Sequence, residues 1–195
     1  MNMRRELIIM LATGLMAQVA VASAESSSPT VLFADDQAVT LTLEGPLTST
    51  FAGDWSPDGR SILFARDFGG DIDLVVLDLE KRRETRIVSG SADEYGERYS
   101  PDGERIAFHA ATDDGESRIV VMRRDGTARA ELTSGGQHYS PHWSPDGTWL
   151  MFTGAALGAS QFDLMIVPAS GGEPRPLVAT EADERSGSWS PANLD

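Results

Sequence analysis

The chain has 195 residues, enough for one medium domain with a core of its own. Its formal charge of −14 argues against nucleic acid, whose binding rests on lysine and arginine neutralising phosphates, and against docking on an anionic membrane surface. Cysteine is absent, which excludes disulfides, thiolate metal sites, a cysteine nucleophile and a lipid-modified N-terminal cysteine.

Taken in order, the chain opens with a targeting pattern. Arg4 and Arg5 form a basic start, Leu7 to Ala22 an apolar stretch, and Ala22-Ser23-Ala24 a small-residue cleavage motif. Residues 1–24 are therefore expected to be a signal peptide, with Glu25 first in the mature protein. The apolar run is short of the roughly 20 residues a spanning helix needs, and Thr13, Gly14 and Gln18 interrupt it. No later stretch is long or apolar enough to cross a bilayer. The expected location is periplasmic or secreted, with no membrane span once the signal is removed.

Residues 25–52 form a leader. Its two β-like runs, Val31 to Phe33 and Val39 to Leu43, suit the outer strands of a partial blade. From 53 to 195 the chain repeats itself. Trp55-Ser56-Pro57-Asp58-Gly59 recurs as Trp143 to Gly147, and as Tyr99 to Gly103 with one aromatic exchanged. Trp189-Ser190-Pro191-Ala192-Asn193 is a worn fourth copy. A period in the forties with about four short strands per period is the signature of a β-propeller blade.

The pentapeptide has a turn's chemistry. Serine first, proline second and glycine fourth is the preference of a type I turn, and the glycine supplies the positive φ of a following bulge. Asp58, Gly59, Asp102, Gly103, Asp146 and Gly147 are accordingly expected to be structural turn residues. Each turn is followed by an apolar strand ending in phenylalanine (Ile62 to Phe64, Ile106 to Phe108, Leu150 to Phe152). Asp114-Gly115, Asp125-Gly126 and the Gly69-Gly70 and Gly171-Gly172 pairs mark further hairpins. The four strands of each blade are expected at 53–56, 61–65, 72–77 and 85–88, then at 97–100, 105–110, 118–122 and 129–132, then at 141–144, 149–153, 162–167 and 175–178. The third strand is apolar on both faces (Ile72, Leu74, Val76 and Val75, Leu77), as a blade packed between neighbours requires. The fold class expected is all-β, a β-propeller repeat array of four-stranded antiparallel blades, with three full blades plus partial terminal blades.

The pattern Pro141-His142-Trp143-Ser144-Pro145-Asp146-Gly147 followed by Leu150 to Phe152, with Ile119-Val120-Val121-Met122, Asp125-Gly126 and Leu132-Thr133 as the second half of the unit, resembles the WD-repeat-like units of TolB-type propellers. The resemblance covers about 53 to 191. It implies an incomplete version of a usually six-bladed ring, of a kind found in the periplasmic TolB protein, in other exported proteins, and as the propeller of prolyl-oligopeptidase-type enzymes. The chain departs from TolB in lacking the preceding α/β domain and in having half the usual blades, so it is expected not to be TolB itself.

No Gly-x-Ser-x-Gly elbow occurs, which removes the hydrolase reading. His109, His138 and His142 are the three histidines; together they are the alternative metal site of a carbohydrate-active, lyase-like enzyme, which the resemblance to pectic-oligosaccharide lyases also suggests. Surface or channel histidines are the favoured reading, with no metal and no cofactor. The acidic runs Asp71-Ile72-Asp73 and Asp113-Asp114-Gly115-Glu116 do not match a calcium loop and read as solvated loops. Tyr95, Tyr99, His138, Tyr139 and His142 lie on or near the innermost strands, and they are the candidate binding residues. The expected role is a non-enzymatic module binding a protein or cell-envelope component. A truncated propeller without independent function is a further alternative. The short array leaves two routes to a covered core: a small ring in which the Trp189 strand joins Val31 to Leu43, or open blade faces that drive self-association. The open form is the expectation.

Overall fold

The computed structural model describes residues 30–33, 39–42, 53–178, 180, 182–185 and 187–190. The predicted signal segment and most of the leader lie outside them. Every regular element among the described residues is a strand, as the repeat pattern requires, and no helix there is long and apolar enough to cross a membrane.

The chain divides into two compact units at Gly90. The first holds a hairpin, β1 (Thr30–Phe33) with β2 (Val39–Thr42), and one blade. That blade is β3 (Asp54–Trp55), β4 (Ser61–Asp67), β5 (Ile72–Asp78) and β6 (Arg83–Arg86), an antiparallel meander in sequence order. Leu74, Val75 and Leu77 of β5 are all buried, although they alternate between its two faces.

The second unit carries two blades. One is β7 (Asp93–Tyr99), β8 (Arg105–Ala111), β9 (Ser117–Arg123) and β10 (Ala130–Glu131). The other is β11 (Gly136–Trp143), β12 (Trp149–Ala156), β13 (Asp163–Pro168) and β14 (Arg175–Val178). A parallel bridge between Ser117 and Gln137 joins them, and the Ser117 hydroxyl both donates to the His138 carbonyl (3.0 Å) and accepts from its N–H (2.8 Å). Ala107, Ile119 and Val121 of one blade meet Trp143, Leu150, Phe152 and Val167 of the other in a single buried cluster. Burying a Val, Leu, Ile or Phe side chain is worth about 1.5–3 kcal/mol, so this cluster is what fixes the two blades face to face.

The turn motif has one geometry in all three copies. The glycine N–H donates to the serine carbonyl at 2.8 Å in each, and φ at Gly59, Gly103 and Gly147 is 68°, 72° and 68°. Each serine hydroxyl donates to the aspartate carboxylate two residues on, at 2.6, 2.5 and 2.6 Å, while the hydroxyl oxygen accepts the first N–H of the next strand at 2.9 Å. The aspartate in turn takes the N–H of the residue after the glycine at 3.0 Å. The serine bond holds the Asp102 and Asp146 carboxyls below the usual range.

The motif's aromatic residue ties its blade to the preceding one. The Trp143 indole donates to the Arg98 carbonyl at 3.1 Å, one residue before Tyr99. The Trp189 indole donates to the His142 carbonyl at 3.0 Å, one residue before Trp143. The worn copy therefore keeps its station although it is not in a strand. Around it, Phe162 donates to the Asp183 carboxylate and accepts from the Glu184 N–H, both at 2.8 Å. Gly187 passes so close to the blade that a Cβ there would meet Met151 Sδ at 2.8 Å. Phe162 stands 45 residues after Ser117, so this contact repeats the Ser117–His138 junction one blade later.

The inner strands were expected to start at Glu97 and Pro141, but β7 and β11 start four and five residues earlier. Bulges between Tyr95 and Arg98 and between Tyr139 and His142 interrupt their registers. Gly96 (φ 64°) and Ser140 (φ 52°) take left-handed conformations there, which look like strand ends in sequence but are absorbed within a bulged strand.

A row of rings across two blades

The early starts of β7 and β11 are what place the candidate residues. Tyr95 lies opposite His109 in the β7–β8 register, and their rings stack at 5.5 Å with an interplanar angle of 25°. The His109 ring also meets Tyr139 of the next blade, edge to face at 5.3 Å. Tyr139 continues to Phe162 at 6.0 Å, and the Arg185 guanidinium lies 4.2 Å over the Phe162 ring. Strand alternation gives the first contact, and the packed blade faces give the second. Tyr95, His109 and Tyr139 are half-buried, so each keeps part of its surface in contact with solvent.

His109 Nδ1 is sealed from solvent with no hydrogen-bond partner among the described residues, and Gly96 passes close enough that a Cβ would stand 3.0 Å from it. Burial lowers the imidazole pKa to about 4, so the ring is neutral at ordinary pH. The four rings are apolar on their faces and are held by both blades.

The other candidates fall elsewhere. Tyr99 is 6% exposed and fills the place that Trp143 fills one repeat later; it is a packing residue, because it lies in the buried register of β7 next to the turn. His138 is one residue from Tyr139 and so points to the opposite face, where its ring meets Phe152 edge-on at 5.4 Å. Gly136 and Gly154 make room for it, since a Cβ on either would stand about 3 Å from its ring. His142 lies beyond the bulge, near Arg98. Burial lowers both histidines' pKa values, and at His142 the Arg98 charge adds to it. The three histidines thus occupy three surroundings, and no three His, Cys, Asp or Glu side chains among the described residues gather to hold a metal ion.

Phe162 completes the row and Arg185 covers its end, and the sequence singles out neither. Phe162 reads there as the first core residue of a strand, and nothing local marks Arg185.

Comparison with known proteins agrees with the repeat architecture. A family model described as the TolB beta propeller domain matches residues 16–194. An uncharacterized protein of Agrobacterium fabrum is 32% identical over 99 residues, half of this chain and 33% of its own length. The Tol-Pal system protein TolB of Rhizorhabdus wittichii is 36% identical over 77 residues, 40% of this chain and 17% of its own. A solved structure from Agrobacterium tumefaciens, assigned as TolB, superposes with a TM-score of 0.62 at 26% identity, over 72% of this chain and 52% of that one. The chain thus spans a third or less of these two curated relatives.

Proposed function

The chain belongs to the TolB beta propeller domain family, and from that premise we propose that it is an exported, non-enzymatic binding module of the cell envelope. Its partner is a protein or another envelope component, and the binding surface is the solvent-exposed part of the Tyr95–His109–Tyr139 row. The observation that carries this reading is the row itself. Half-buried aromatic rings drawn from two blades make a rigid surface with large contact area and little entropy to lose, the kind of residue that dominates interfaces. A patch made only for packing would bury both tyrosines as fully as it buries Tyr99. Residues 1–24, with their basic, apolar and Ala-x-Ala succession, support export.

The test is capture from a detergent-solubilised envelope extract. Immobilised protein is expected to retain a defined component, and Tyr139→Ala is expected to lower that retention roughly tenfold or more, as loss of a hot-spot aromatic does. Retention unchanged by Tyr139→Ala and by Tyr95→Ala would remove the row as the binding surface.

A further inference from the structure

Resting on that binding role, we infer that the partner meets the row with a cationic peptide segment, its arginine or lysine side chains stacking on the exposed parts of Tyr95 or Tyr139. The chain already shows the geometry. Arg185 lies 4.2 Å over Phe162, the last ring of the row, while its Nε donates to the Asp183 carboxylate at 2.7 Å. A guanidinium on a ring face with a carboxylate at its edge is the arrangement that a second cation would repeat one or two rings along. Tyrosine faces carry the negative part of the ring quadrupole, and half-burial strengthens the attraction by removing water.

The charges around this end of the blades point the same way. Asp93 lies two residues before Tyr95 and so on its side of β7. The β8–β9 connection carries Asp113 and Asp114, and Asp163 follows Phe162 directly. Three arginines near this end are engaged: Arg118 by Glu116 (3.1 Å) and Glu131 (3.3 Å), Arg129 by Glu94 (3.4 Å) and Arg185 by Asp183. Asp113 and Asp163 make no ion pair among the described residues. At the other end of these two blades, Arg105, Arg123 and Arg124 alternate with the acids of the turns, so the acidic bias belongs to the aromatic end. Charges are screened beyond about 8–10 Å, so the carboxylates nearest the rings are the ones that favour a cation there and oppose an anion. His109 is neutral and adds no repulsion.

Fluorescence anisotropy with the intact protein tests this, using a labelled peptide of alternating glycine and arginine, its citrulline counterpart and its glutamate counterpart. The arginine peptide alone is expected to bind. Tyr95→Ala or Tyr139→Ala should weaken it about tenfold and Tyr→Phe at either position by less than about threefold, since the ring face survives. Asp113→Asn, at an exposed position outside the packed row, should weaken binding a few-fold while melting with the parent. Equal binding of the citrulline peptide overturns the inference. So does arginine-peptide binding that salt abolishes but no tyrosine substitution changes, which is attraction to an acidic surface only. Envelope-extract retention lost in Tyr139→Ala with the arginine peptide unbound would keep the row as a binding surface and overturn the cationic class.

Discussion

Trp143→Ala is expected to cost about 3–5 kcal/mol, the usual loss for truncating a buried tryptophan, and to be among the most damaging single changes in the second unit. Three interactions go with it. The indole fills the cluster between the two blades, 9% exposed, against Ala107, Ile119 and Phe152. Its N–H satisfies the Arg98 carbonyl across the blade boundary. The Arg105 guanidinium lies 4.6 Å over its ring and donates to the Gly147 carbonyl at 2.8 Å, closing the contact from the preceding blade. Trp143→Phe keeps much of the packing but leaves the carbonyl without its donor, and should cost about 1–3 kcal/mol. Urea melts of the two variants measure this, and an alanine variant melting with the parent would show that the repeat tryptophan does not join the blades.

Acidification is expected to weaken the fold before the carboxylates titrate. His109 is held neutral by burial, with its pKa lowered from 6.5 to about 4. Between those values the unfolded chain binds a proton that the folded chain does not, so stability falls as pH drops through that window and levels off below about 4. The difference corresponds to about 3 kcal/mol at full development. Burial acts in the same direction at His138 and His142. The turn aspartates add their share only at lower pH: with pKa values depressed in the fold, their stabilisation is present above the ordinary carboxylate pKa and lost as pH falls through the folded value. Melting at pH 7.5 and pH 4.5 should show the loss, and His109→Phe, which keeps a ring between the two tyrosines, should remove most of it. An unchanged pH dependence in that variant would mean the ring is not sealed between them.

What was legible in the sequence follows from how local each cause is. The Ser-Pro-Asp-Gly turn is written in four adjacent residues, so its recurrence at 56, 100 and 144 yields the blade count and the strands that flank it. The strands buried on both faces, Ile72 to Leu77 and Ile119 to Met122, announce themselves by lacking alternation. The inner strands were cut short because Gly96 and Ser140 resemble punctuation, whereas the chain resumes its ladder after each bulge. The row of rings is less local still. Tyr95 meets His109 through a hairpin register, but His109 meets Tyr139 only because two blade faces pack, and Arg185 arrives from a segment beyond the last strand. Strand alternation turns His138 away from Tyr139, the bulge at Gly96 shifts Tyr99 to the face opposite Tyr95, and His142 lies past the second bulge beside Arg98.

Site-specific photo-crosslinking tests the binding surface most directly. Benzoylphenylalanine placed at Tyr95 or Tyr139 should crosslink an envelope component, and the same group placed at the exposed Asp146, in the turns at the opposite end of these blades, should not. Crosslinks at 146 with none at 95 or 139 would contradict the account.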